Sequence, residues 1–137
     1  MADTIRRVDY FYVQVANRPG EGARALATLQ QEGVNLLAFS GFPQGRRTQL
    51  DFVPDDPGTF RRVAHKAGWK LVGPKRAFLI QGQDRVGAVA EVVRQLGDAK
   101  INIVALDAVC AGAGRYGVIL WVEPRNFVRA GKLLGVA

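Results

Sequence analysis

The chain has 137 residues, 48% of them hydrophobic, a formal net charge of +7 and an isoelectric point near 10.2. That length builds one ordinary domain or two very small ones sharing a core. The single cysteine, Cys110, excludes an intrachain disulfide and a zinc cluster, no apolar run approaches the roughly 20 residues of a membrane span, and no leader-like apolar stretch follows the charged first residues.

A cytoplasmic protein without metal or cofactor is therefore expected. Its basic residues come in short pairs, Arg6-Arg7, Arg46-Arg47, Arg61-Arg62 and Lys75-Arg76. A nucleic-acid tail carries a longer run, so the charge is read as solvated surface.

In chain order, Phe11, Val13 and Val15 alternate with Tyr10, Tyr12 and Gln14, which predicts a strand with one apolar and one polar face. A helix follows over about 20–32, with Leu26 and Leu29 inward and Gly33 ending it. A second strand is expected over about 35–42. The third is "TQLDFV", with Leu50 and Phe52 on one side. Asp56-Pro57 reads as an N-cap followed by an N1 proline, and Phe60, Val63, Ala64 and Ala67 mark one face of the helix they open. "WKLV" is the expected closing strand.

The plan then repeats. Residues 17–20, Asn-Arg-Pro-Gly, correspond to residues 84–87, Asp-Arg-Val-Gly, 67 positions on; Asn35 falls on Asn102 at the same offset. The register is expected to drift by about two residues after the second strand, because "CAGAGRYG" reads as a longer loop than "FPQGRRTQ", and to return at Gly68 and Gly135. Val89, Val92, Val93 and Leu96 stripe the first helix of the second copy; Phe127, Gly131 and Leu134 stripe its second. The reading is two βαββαβ units, residues 1–73 and 74–137, with the second lacking a full fourth strand or borrowing one.

Without that strand, "AFLIQG" becomes a sheet edge, a pairing hazard unless covered. If Phe78, Ile80, Ile119 and Trp121 face the helices, the open face carries Leu79, Val118, Leu120 and Val122 and must be buried by the other unit or by a second chain. A one-residue slip would exchange the faces. The first unit's open face is wetter, with Tyr10, Tyr12, Gln14, Gln49 and Asp51.

A strand that turns at once into a helix presents free backbone N–H groups whose partial positive charge attracts a carboxylate or phosphate. Asn17 or Asp84 can cap the helix, and Gly20 and Gly87 permit close approach. A well-capped helix and nothing more is the plainer meaning of either turn alone.

Taken together, "VANRPGEGARALATLQQEGVNLLAF" and "IQGQDRVGAVAEVVRQLGDAKINIVAL" resemble the ACT domain family of small-molecule regulatory modules, over nearly the whole chain, twice. The resemblance implies an α+β fold of ferredoxin-like units in tandem. It also implies pairing of units, and an amino acid or similar effector bound between them near the first loop and the start of strand two. Carried over, the sites are Asn17, Arg18, Pro19, Gly20 and Asn35, and Asp84, Arg85, Val86, Gly87 and Asn102. Loop amides would hold the ligand carboxylate, and the asparagines would contact its polar groups or only close a turn. Gly22 in the first helix, Val86 in place of proline and the missing strand depart from the pattern. Asp84 would repel a carboxylate where Asn17 would not, so the first loop is the expected anion cradle.

The expected protein is non-catalytic and regulatory. It pairs as a homodimer through the sheet edge or open face of the second unit. His65, Ser40 and Cys110 form no nucleophile-base set, and "AGAGRYG" lacks a phosphate-loop spacing. Two rivals stay open. One is an RNA-recognition module, which needs aromatics on strands one and three where Gln49 and Asp51 stand. The other is a pure protein-interaction module.

Overall fold

A computed structural model describes residues 3–136. It is α+β, with six antiparallel strands and four helices in a βαββαβ plan used twice. The elements are β1 (Thr4–Ala16), α1 (Glu21–Gln31), β2 (Leu36–Gln44), β3 (Arg47–Pro54), α2 (Pro57–Lys66), β4 (Val72–Gln83), α3 (Ala88–Asp98), β5 (Ile103–Gly112), β6 (Arg115–Val122) and α4 (Phe127–Leu133). Both helices and the second strand of the repeat start 67 residues after their counterparts: 21 and 88, 36 and 103, and 57 and the 3-10 turn at Pro124 that leads into α4. The third strand starts 68 residues on, so the drift is one residue rather than two. Its cause is not a longer loop but a bulge in β5 between Cys110 and Gly112, where one extra residue is absorbed without losing the ladder.

The chain divides into two compact units, Asp9–Lys75 and a second made of the segment up to Val8 together with that from Arg76 onward. Compared with a division at 73/74, each takes a short piece from the other's half of the sequence. In the first unit the strands run β2, β3, β1, and then the start of β4, residues 72–75. The expected closing strand therefore begins three residues late: 69–71 are not strand, although Trp69 and Leu71 still pack against the core. In the second unit the order is residues 4–8 of β1, then β4, β6 and β5. The strand that the second repeat lacks is supplied by residues 4–8, with Ile5 packed against that unit's core.

Each core follows from alternation on strands and a stripe on helices. In the first unit Phe11, Val13, Leu50 and Phe52 meet Ala25, Leu29, Phe60 and Val63. Phe60 lies 5.1 Å from Phe11 and 5.3 Å from Phe52, ring to ring. In the second, Phe78, Ile80, Val118, Leu120 and Val122 meet Val92, Leu96, Phe127 and Ala130.

Two expectations about faces are corrected here. On α1 the inward residue beside Leu29 is Ala25, four positions before it, and Leu26 is exposed. On β6 it is Val118, Leu120 and Val122 that face the helices, paired with Ile80 and Phe78 on β4. The open face carries Leu79, Ile119 and Trp121 instead. These three are buried. β4 is not an edge, since residues 4–8 cover it. The free edge of this unit is β5, where Val104 and Val109 are exposed.

Asp56 caps α2 as expected, accepting from the Thr59 amide at 3.2 Å, with Pro57 at N1. Gly33, Gly68 and Gly135 all have positive φ just past helix ends. At the position equivalent to Gly33 the second unit has Lys100, forced to φ 62 by the same turn.

Candidate functional site

Each loop-helix junction is built the same way. A strand ends at Ala16 or Gln83, the chain turns, and Gly20 or Gly87 stands as N-cap at φ 94 or φ 83. Among the described residues no side chain caps α1 or α3, which corrects the expectation that Asn17 and Asp84 do so. The first-turn amides of Glu21, Gly22 and Ala23, and of Val89 and Ala90, lie ahead of any intrahelical acceptor, whereas the Ala88 N–H donates to the Arg85 carbonyl at 3.2 Å. A Cβ added to Gly20 or Gly87 would meet nothing within 4 Å among the described residues. The glycines are there for their left-handed backbone, and the space where a side chain would begin is open.

The two polar residues are spent differently. Asn17 Oδ1 accepts from the Thr48 hydroxyl at 3.0 Å, tying the first loop to β3. Asp84 donates its backbone N–H to the Gly114 carbonyl at 2.8 Å, tying the second to the β5–β6 turn, and its carboxylate, ahead of burial, pushes the Cys110 thiol up. Pro19 and Val86 are exposed in the turns.

The two arginines differ more. The Arg18 side chain is 69% exposed, with Glu21 at 3.5 Å; Arg24 pairs with the same Glu21. Arg85 is held by more partners: it donates to both carboxylate oxygens of Asp3 at 3.2 and 3.3 Å, to Glu91 at 3.0 Å and to the Gln83 carbonyl at 3.1 Å. Asp3 is held below the usual carboxylate range: burial works to raise it, and Arg85, Tyr116 and the surrounding positive charge outweigh that. Tyr116, buried beside it, is pushed up to about 12 by burial first and then by Asp3. Sequence reasoning missed Asp3 and Tyr116, because nothing local ties position 3 to position 85.

Asn35 and Asn102 are exposed and immediately precede β2 and β5. The Asn35 carbonyl accepts from the Asp55 amide at 2.9 Å. Neither asparagine joins the loop of its own unit. Ala16 and Gln44 both pair with Arg47, whereas Leu36 pairs with Pro54. The first loop is thus at one end of the sheet and Asn35 at the other, roughly 26 Å away along β2 at about 3.3 Å per residue. The second unit has the same layout: Gln83 pairs with Arg115, and Ile103 with Val122. Each unit therefore brings its four loop residues together and leaves its asparagine apart.

The first unit's open face does not suit base stacking. Tyr12 pairs with Asp51 and Gln14 with Gln49. Asp51 is buried, accepts from Gln49 Nε2 at 2.9 Å and, after burial itself, helps raise Tyr10. A buried carboxylate on that face repels phosphate. No helix among the described residues is long and apolar enough to cross a membrane.

No family profile matches the chain and no curated protein does, but solved structures do. A protein from Bacteroides thetaiotaomicron superposes with a TM-score of 0.82 at 16% identity, over 94% of this chain and 87% of that one. The regulatory subunit of aspartate kinase from Thermus thermophilus gives 0.67 at 14%, over 98% and 95%. That from Thermus flavus gives 0.59 at 15%, over 98% and 94%. At these identities the likeness is one of fold. The chain has the tandem ACT fold, two ferredoxin-like units in succession, that its repeated loop-and-helix pattern resembles.

Proposed function

We propose that the chain is a non-catalytic regulatory protein of the cytoplasm that binds a small carboxylate-bearing effector, an amino acid first among candidates, at its loop-helix junctions. The observation that carries the proposal is the uncapped start of α1: a left-handed glycine with open space where its Cβ would be, followed by first-turn amides that no side chain caps among the described residues. A carboxylate is the ligand that such amides and the helix dipole favour. The fold supports the reading, because regulatory subunits of aspartate kinase share it over almost their whole length. A ligand that touches both a loop and an asparagine must bridge two units, so binding would stabilise one paired arrangement over others. The free edge of β5 is the surface proposed for pairing into a homodimer.

The test is thermal unfolding of the purified chain against the protein amino acids, with single-stranded RNA as comparison. At a hundredfold excess over its dissociation constant a ligand adds about 2.7 kcal/mol, a shift of several degrees at this size. A shift with one amino acid, abolished by Gly20→Trp, supports the proposal. A shift with RNA alone, weakening steeply with salt, refutes it. Silence with every ligand also refutes it and leaves a module that binds another protein.

A further inference from the structure

The two junctions share a backbone but not a charge environment. Around the first loop stand Arg18 and Arg24, both largely exposed and sharing one carboxylate, Glu21. Around the second stand Asp84 in the loop, Glu91 on α3 and Asp3 from the start of the chain, with Arg85 bonded among them and Arg115 across from Gln83 on β6. Asp3 is not a loose surface partner. Its side chain is only 12% exposed, and it presents both oxygens to the two terminal nitrogens of Arg85, the fork geometry that makes guanidinium-carboxylate pairs strong. It also lies directly on the β4 backbone: a Cβ added at Gly82 would fall 2.1 Å from Asp3 Oδ1 and 3.1 Å from the Tyr116 ring. Tyr116 is 4% exposed, and its hydroxyl makes no hydrogen bond of good geometry among the described residues. The site is thus built around one carboxylate, supplied by the chain itself through the strand that completes this unit.

We infer that the second loop is closed by the chain's own Asp3, so that of the two junctions only the first is open to an external carboxylate. This rests on the reading of the loops as carboxylate cradles. An incoming carboxylate at the second loop has to displace Asp3 from Arg85 against the further negative charge of Asp84 and Glu91. At the first loop it meets net positive charge. Asp3 does two jobs at once: it lies on β4 at Gly82 beside residues 4–8, and it takes up the guanidinium of the second loop, Arg85.

The experiment is amide NMR of the ¹⁵N-labelled full chain titrated with sodium acetate at constant ionic strength. In the unaltered protein acetate is expected to move the amides of Glu21, Gly22 and Ala23 and to leave those of Val89 and Ala90 in place. In Asp3→Ala both sets are expected to move by comparable amounts. If Asp3→Ala loses the dispersed signals of the second unit, Asp3→Asn, which keeps the shape and drops the charge, takes its place. The inference is overturned if the second set moves in the unaltered protein, or stays still in the Asp3 variant while the first set responds. It is also overturned if the first set alone is silent. Silence of both sets in both proteins is a different result: it removes the carboxylate reading of the loops, and the inference with it.

Discussion

Gly20→Ala isolates the backbone contribution of the first junction. Gly20 sits at φ 94, ψ −15, in the left-handed region. An alanine there costs roughly 1–2 kcal/mol, because Cβ crowds the following carbonyl. Nothing else should add to that, since the new methyl meets no described atom within 4 Å. With an unfolding entropy of about 2.1 cal/mol/K per residue, the whole chain has a slope near 0.3 kcal/mol per degree, so the midpoint should fall by about 3–7 °C. Asparagine tolerates this region better than alanine, so Gly20→Asn should recover part of the loss. Gly73→Ala provides the contrast: at φ 131 its Cβ would lie 2.9 Å from the Tyr10 carbonyl and 2.9 Å from the Phe11 ring, and a backbone clash should cost well beyond the conformational term. Circular dichroism melts of the three variants decide the matter. An unshifted Gly20→Ala, or a Gly20→Asn no better than alanine with a loss as large as that of Gly73→Ala, refutes the assignment of Gly20 as a purely conformational cap facing open space.

Lys100→Gly should stabilise the chain by roughly 1 kcal/mol, because lysine is held at φ 62 where the first unit has Gly33; a chemical-denaturation midpoint that falls or stays put contradicts this. Phe60→Ala empties the centre of the first unit's aromatic cluster and should cost about 3–5 kcal/mol, seen in the fluorescence of Trp69 in a Trp121→Phe background. The alkaline limb of stability should bear the mark of Tyr116. Its folded pKa of about 12 lies above the usual value near 10, so the folded chain keeps a proton that the unfolded chain has lost, and stability falls between those two pH values; Tyr116→Phe should flatten that fall in melts run across the range. At the acid end Asp3 works in the opposite sense. Its depressed folded pKa gives a contribution fully present above the unfolded carboxylate value near 4 and lost as pH drops through the folded value; Asp3→Asn should lose that dependence.

What was legible in the sequence depended on contrast between faces. On β3 the alternation of Leu50 and Phe52 with Gln49 and Asp51 left one possible orientation, and the core uses it. On β6 both faces are apolar, so a period of two cannot say which set turns to the helices, and only the pairing with Phe78 and Ile80 decides. On α1 the larger Leu26 outweighed Ala25 in the pattern, although the helix start at Glu21 puts 25 and 29 on one face. The repeat itself was readable because loop, helix and following strand are all local. The donor of the second unit's fourth strand was not: residues 4–8 read Thr-Ile-Arg-Arg-Val, a weakly patterned stretch with two charges, and its partner lies some seventy residues away.

The candidate site shows a subtler limit. The loop residues and the asparagine of each unit are linked by α1 or α3, and in sequence they look like parts of one site. In a βαβ crossover, however, the two strands run parallel: β1 and β2 are each antiparallel to β3. The end of β1 and the start of β2 must then lie at opposite ends of the sheet, whatever the side chains. That separation divides the proposed site into two half-sites, a backbone anion cradle and a side-chain amide, neither of which has reason to bind tightly alone. A ligand that engages both gains affinity only when a cradle from one unit meets an asparagine from another. Where that asparagine belongs to a second chain, the affinity would carry the free energy of assembly within it, and by linkage the ligand would strengthen assembly by the same factor. An effector that bound within one unit would have no such leverage. A dissociation constant that tightens as protein concentration rises is the signature of the divided site.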